Sequence, residues 1–123
     1  MTKKSQNCPV LIVEDDETIR ETIRVALELA GYDAVTAADG LSALEQLKQI
    51  SAPCLILLDL MMPQMDGFEL EEALCKNPET ASIPVIAVTA FPEKAKLLKH
   101  ARGVIAKPFD LDKLMTTVSL YCG

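Results

Sequence analysis

Apolar residues along this chain follow two alternating rhythms. One is the unbroken apolar run: Val10-Leu11-Ile12-Val13, Cys54-Leu55-Ile56-Leu57-Leu58 and Pro84-Val85-Ile86-Ala87-Val88. Each run is too short for a helix and predicts a buried strand. Asp33 to Ala37 and Val104-Ile105-Ala106 read as two further short strands. The other rhythm is helical. Ile19, Ile23, Ala26, Leu27 and Ala30 recur at helical spacing, with Asp16 placed to cap the first turn and Gly31 to stop the last. Asp39 heads a second periodic segment carrying Ala43, Leu44, Leu47 and Ile50. A third runs from about Gly67 to Lys76, with Phe68, Leu70 and Leu74 apolar. Pro92 suits the first turn of a fourth, with Ala95, Leu97, Leu98 and Ala101 in its body. Asp110 heads the last, in which Leu111, Leu114, Val118 and Tyr121 share a face.

Strand and helix thus alternate from end to end. Strands that are apolar throughout need cover on both faces, which predicts a doubly wound α/β fold: a parallel sheet with helices on each side. Crossovers are right-handed, and the reactive crevice of such sheets lies at the carboxyl ends of the strands. Residues just after each strand are where chemistry is expected.

Composition narrows the function. The chain has 123 residues, of which 50% are hydrophobic and 24% charged, so one folded domain is expected, residues 1–123 with a tail at 1–7. Its net charge of −6 argues against a partner with a phosphate backbone. The longest charge-free stretch, Thr80 to Pro92, contains two prolines and is 13 residues long. A spanning helix needs about 20, so no membrane insertion is expected. Lys3 and Lys4 precede an apolar run, but Val10 to Val13 is too short for a signal-peptide core and ends in acids. A cytoplasmic location follows as an expectation. No two of Cys8, Cys54, Cys75 and Cys122 are close enough for a CxxC pair, and all four are read as reduced, structural thiols. Charge is unevenly spread: residues 1–93 carry a net −10 and residues 94–123 a net +4.

At the strand ends stand Glu14, Asp15 and Asp16 after the first, Asp59 after the third, Thr89 at the end of the fourth and Lys107 after the fifth. Converging carboxylates repel, and hard oxygen ligands on a partly open site suit Mg²⁺. A metal, a lysine and a hydroxyl around one aspartate form the set that neutralises a transferring phosphoryl group. Asp59 is the natural nucleophile, because a carboxylate can form an acyl phosphate. Singly, each residue has a plainer reading: helix cap, solvated loop acid, turn residue, sheet-fitting threonine, surface lysine. Together, at the ends of different strands, they do not read as coincidence.

In this set the chain resembles the receiver domains of two-component response regulators, from about Pro9 to Tyr121. The resemblance rests on Val10 to Asp16, on Leu57-Leu58-Asp59-Leu60-Met61-Met62-Pro63-Gln64-Met65-Asp66-Gly67, on Val88-Thr89-Ala90 and on Lys107-Pro108-Phe109. It implies a five-stranded flavodoxin-like sheet of order 2-1-3-4-5, with Asp59 as phosphoacceptor. It implies Mg²⁺ bound by Asp15, Asp59 and the Met61 backbone carbonyl, with Glu14 acting directly or through water. Thr89 and Lys107 would contact the phosphoryl oxygens, and the Lys107–Pro108 bond would be cis. The implied phosphoryl donor is a sensor histidine kinase or histidine phosphotransfer protein, and the implied output is phosphorylation-dependent docking, with at most slow self-phosphorylation and self-dephosphorylation.

Two departures from the family pattern stand out. Val104 occupies the place of an aromatic that swings inward on phosphorylation. The segment from Thr89 to Lys107 is shorter than the family norm by about one helical turn, roughly 5 Å of helix. Residues 90–103 are therefore expected to be an abbreviated or reoriented helix and the least protected part of the domain. Within them Lys94, Lys96, Lys99 and Arg102 are four bases in nine residues, and Lys96, Lys99 and Arg102, at i, i+3 and i+6, suggest a stripe on the fourth helix for an acidic downstream partner, against the plainer reading of a solvated face. His100, the lone histidine, reads as a surface residue, and Met61, Met62 and Met65 as loop packing. A haloacid-dehalogenase type phosphohydrolase would need a second acid where Met61 stands. A flavodoxin would need a phosphate cradle where residues 14–17 are all acidic. A pseudo-receiver that binds partners without phosphorylation is the remaining alternative.

Overall fold

The computed structural model describes residues 8–123; the expected tail at 1–7 lies outside the described residues. Strands β1 (Val10–Val13), β2 (Ala34–Ala37), β3 (Leu55–Leu58), β4 (Val85–Thr89) and β5 (Ala101–Ala106) form one sheet of order β2-β1-β3-β4-β5. Every pairing is parallel. Helices α1 (Glu17–Leu29), α2 (Gly40–Leu47), α3 (Gly67–Lys76) and α4 (Leu111–Cys122) cover its two faces. The expected fold and strand order are both present.

The three central strands are buried along their whole length because successive side chains point to opposite faces and both faces are covered. Val10, Ile12, Leu55, Leu57, Ile86 and Val88 point to one side and pack with α1 and α4 through Ile23, Leu27, Leu114 and Val118. Leu11, Val13, Ile56, Leu58 and Val85 point to the other and meet Ala43, Leu70 and Leu74 of α2 and α3. Asp16, Asp39, Asp66 and Asp110 cap their helices, each accepting a backbone N–H of the first turn. Gly31, at φ 95°, takes the left-handed turn that ends α1. Helix α2 stops at Leu47, so Ile50 falls beyond it.

Two expectations need correction. The fourth periodic segment is no α-helix. It is a short 3₁₀ turn, Pro92–Leu97, after which the chain straightens into β5 from Ala101 onward. Few residues separate β4 from β5, and the sheet takes most of what remains. Ala95 and Leu98 are the buried residues of the connection, packed with Leu60, Ala87 and the half-buried Phe68 and Ala101. The apolar spacing of Ala95, Leu98 and Ala101 thus reflects a small satellite core. Lys96, Lys99 and Arg102 consequently share no helix face; they sit on the 3₁₀ turn, the following loop and β5.

The second correction concerns the cysteines. Cys54, entering β3, is joined by a disulfide to Cys122 at the end of α4, with their Cα atoms 5.5 Å apart. Only the fold brings together residues 68 apart in sequence. Closing a loop of that length contributes about 4 kcal/mol in the chain-entropy account. Cys8 and Cys75 are free thiols; Cys8 is exposed and Cys75 partly buried, and that burial raises the Cys75 pKa.

Candidate active site

Backbone architecture determines where each reactive side chain stands. Parallel pairing puts Val13 beside Leu58, so the turns after β1 and β3 lie side by side at the carboxyl edge. The Asp59 N–H donates to Val13 O (2.9 Å) and the Glu14 N–H to Ala37 O (3.0 Å), extending the sheet by one residue into the site. On the far side, the Lys107 N–H donates to Thr89 O at 2.8 Å. The Lys107–Pro108 bond is cis.

Glu14, Asp15 and Asp59 converge, each offering a carboxylate oxygen within 4.8 Å of the others. Glu14 and Asp59 are buried, whereas Asp15 is exposed at the mouth. The Lys107 ammonium lies between the two buried acids, 2.6 Å from Glu14 Oε1 and 3.4 Å from Asp59 Oδ2. Glu14 also accepts the Asp16 N–H at 3.0 Å. Asp16 itself turns away to cap α1 through the Ile19 N–H, its plainer reading.

Burial governs the electrostatics. It pushes Glu14 up to about 7, against the opposing pull of Lys107, while the neighbouring Asp59 charge pushes the same way. Asp59 is likewise raised, first by burial, with Lys107 pulling it back. For Lys107, burial favours the neutral amine, but the hydrogen bond and charge of Glu14 and the charge of Asp59 outweigh it and its pKa rises. One cation thus serves two buried carboxylates, leaving the cluster with excess negative charge. A hard divalent cation with oxygen preference fits that donor set.

Thr89 is fully buried, and its Oγ1 accepts the Phe91 N–H at 3.0 Å. Its own O–H remains a donor. Met61 is two residues beyond Asp59 in the same loop and is half exposed. Met62 and Met65 pack against the α2–α3 face, as expected of loop packing. Gly67 explains why this loop ends as it does. A Cβ there would stand 2.5 Å from Asp59 O, and the Gly67 N–H donates to Leu60 O at 2.9 Å. The start of α3 is therefore seated against the backbone of Asp59, and the Asp66–Glu69 capping box fixes it there.

One contributor carried no sequence signal. Arg20, in the first turns of α1, donates from Nη1 to Glu14 O at 2.8 Å and so braces the acidic turn from behind. A lone arginine on an amphipathic helix looks like any surface charge.

The family model for the response regulator receiver domain matches residues 10–119. The chain belongs to the response regulator receiver domain family. Receiver proteins similar to it include the polar-differentiation response regulator DivK of Brucella anthropi, 35% identical over 93% of this chain and 95% of DivK. The DNA-binding dual master transcriptional regulator RpaA of Synechocystis is also 35% identical, but the chain spans only 46% of its length. Among solved receiver structures, the chemotaxis protein CheY4 of Vibrio cholerae superposes with a TM-score of 0.83 at 33% identity, over 93% of this chain and 98% of CheY4. The response regulator TrrA of Thermotoga maritima, solved in complex with Mg²⁺–BeF, gives a TM-score of 0.81 at 28% identity, over 93% and 98% of the two chains. The receiver fold and membership of the response regulators are thus shown, and both are consistent with phosphorelay signalling. Among the described residues, no helix is long and apolar enough to cross a membrane.

Proposed function

We propose that this receiver accepts a phosphoryl group on Asp59 from a sensor histidine kinase or a histidine phosphotransfer protein. The observation that carries the reading is the buried Asp59 carboxylate with Lys107 Nζ 3.4 Å away and the Glu14 and Asp15 carboxylates beside it. An Asp59 oxygen attacks the phosphorus, the bond to the donor histidine nitrogen breaks, and an acyl phosphate forms. Lys107 and the Thr89 hydroxyl stabilise the phosphoryl oxygens. Asp15, Asp59 and the Met61 carbonyl would hold Mg²⁺, with Glu14 reaching it through water; the TrrA complex with Mg²⁺–BeF supports that assignment by analogy. Bound there, the metal would offset charge on the phosphoryl group.

In this reading the chain is a single receiver domain working in the cytoplasm. It is no turnover enzyme, and small acyl phosphates label it slowly. Its output is docking of an acidic partner near Lys94, Lys96, Lys99 and Arg102, supported by the +4 balance of residues 94–123.

Intact-mass spectrometry after incubation with acetyl phosphate tests the core of this reading. One added phosphate is expected with Mg²⁺, and none with EDTA or in Asp59→Asn. Equal labelling of the mutant would overturn the assignment. A wild type that never labels would make the chain a pseudo-receiver.

A further inference from the structure

Glu71 is a buried acid that the phosphoacceptor site does not use. It lies one turn into α3, 5% exposed, on the face turned toward the β4–β5 connection. Its carboxylate reaches across 28 and 29 positions of sequence to two consecutive backbone amides: Oε1 accepts the Lys99 N–H and Oε2 the His100 N–H, each at 2.8 Å. Those amides fall between the 3₁₀ turn and β5, in the segment where a regular fourth helix was expected. A helix would satisfy such donors internally; here a side chain from another element supplies both acceptors. Charge-assisted bonds of this kind are among the stronger ones a backbone makes. Glu72, the next residue, shows the contrast: it is exposed and reaches only Lys76, at 3.7 Å.

The same helix touches the connection a second way and the phosphoacceptor loop a third. Phe68 packs on the small core containing Ala95 and Leu98. At the N-terminus of α3, Gly67 is in backbone contact with Asp59 and Leu60. Helix α3 therefore bridges the Asp59 loop and the β4–β5 connection as one short rigid body. Thr89 offers a weaker route. It holds the Phe91 N–H, but Phe91 is solvent-exposed and stacks only under Lys94, 5.0 Å from its ring centre. Val104 faces solvent and has no ring to fill a space behind Thr89.

We infer that Glu71 is a positioning residue: it clamps the shortened β4–β5 connection to α3, so that the connection responds to phosphorylation of Asp59 through α3. The coupling rests on Asp59 being the phosphoacceptor; the clamp does not. The connection carries Lys94, Lys96, Lys99, the exposed Leu97 and the start of β5. Glu71 thus sets the shape of the face offered to an acidic partner.

Residue-resolved hydrogen exchange on the full chain tests both parts. In the wild type the Lys99 and His100 amides should be protected. In Glu71→Gln, which keeps the shape but puts an NH₂ where one acceptor was, at least one should exchange about tenfold faster or more. Strand β3 and a Glu72→Gln control should not change. Adding Mg²⁺ and beryllofluoride should alter exchange over residues 96–100 in the wild type. That response should be lost in Glu71→Gln, although acetyl phosphate still labels Asp59 by intact mass. Equal exchange of the two amides in wild type and Glu71→Gln would overturn the clamp. A response that survives in Glu71→Gln, or none in a wild type that binds beryllofluoride by ¹⁹F NMR, would overturn the coupling. A wild type that takes neither beryllofluoride nor label overturns the phosphoacceptor reading and the coupling with it. The amide comparison still decides the clamp in that case.

Discussion

The two ends of the strand-to-helix connections at the carboxyl edge of this sheet are built on opposite principles. After β1 and β3 the chain crowds buried acids around one lysine, and the local fold is held rigid by backbone bonds and a glycine seat. After β4 it puts cations and apolar side chains on the surface of a 3₁₀ turn, held from behind by the buried carboxylate of Glu71. The first region gathers carboxylates around one lysine, the donor set on which the proposed metal and phosphoryl site rests. The second spends its one buried charge on backbone amides. Burial of an acid is thus compatible with two arrangements: a raised pKa where Glu14 and Asp59 share one lysine, and a pair of backbone bonds where each Glu71 oxygen has its own N–H.

Four measurements test that contrast. The largest effect is expected at Lys107, the only ammonium bridging Glu14 and Asp59 among the described residues. Lys107→Ala should slow acetyl phosphate labelling of Asp59 by about 100-fold or more, since a preorganised charge on the transferring group is removed. A labelling rate within a few-fold of wild type would mean that Lys107 is a structural counter-ion only.

The next effect is in the pH dependence of metal-free stability. Glu14 is raised from 4.5 to about 7 by burial. An acid with a raised folded-state pKa favours the folded state while protonated. Its contribution is complete below pH 4.5 and is lost as pH rises through about 7. Denaturant titrations with EDTA should therefore show stability falling across that window, by on the order of 3 kcal/mol at most from this group. Glu14→Gln should flatten the fall. Mg²⁺ should oppose it and stabilise most at the alkaline end, because metal and proton compete for the same oxygens.

A smaller loss is expected from Gly67→Ala. The added methyl would meet Asp59 O at 2.5 Å, and backbone cannot yield as a side-chain tip does. A destabilisation of about 1–3 kcal/mol should appear in thermal or denaturant melts, with labelling of Asp59 impaired as the loop shifts. A neutral variant would show that α3 is not seated on the phosphoacceptor loop.

The smallest effect is expected at Val104. It is exposed on the edge strand, so Val104→Ala should change stability by no more than about 0.5 kcal/mol and leave labelling unchanged. A marked change in either would reinstate this position in the switch and weaken the role assigned to α3.

Much of this protein was legible in its residues, because the relevant physics is local or periodic. The runs Val10–Val13, Leu55–Leu58 and Val85–Thr89 read as doubly covered strands, and Asp16, Asp39 and Asp110 all stand where a cap is needed. With parallel strands established, Glu14, Asp15, Asp59, Thr89 and Lys107 had to meet at one edge, since each follows or ends a strand. Where local signals conflicted, the sequence misled. Ala95, Leu98 and Ala101 have helical spacing, but the connection is too short for a helix once β5 takes Ala101 to Ala106 in its ladder with β4. Other features have no local signature at all. The Cys54–Cys122 bridge and the Glu71 clamp each join groups whose distance is set by how helices lie on the sheet, and the Arg20 brace depends on how the β1–α1 turn folds back. Periodicity says which face of a helix is buried. It does not say which backbone amide, carbonyl or sulfur waits beneath that face, and only tertiary packing decides that.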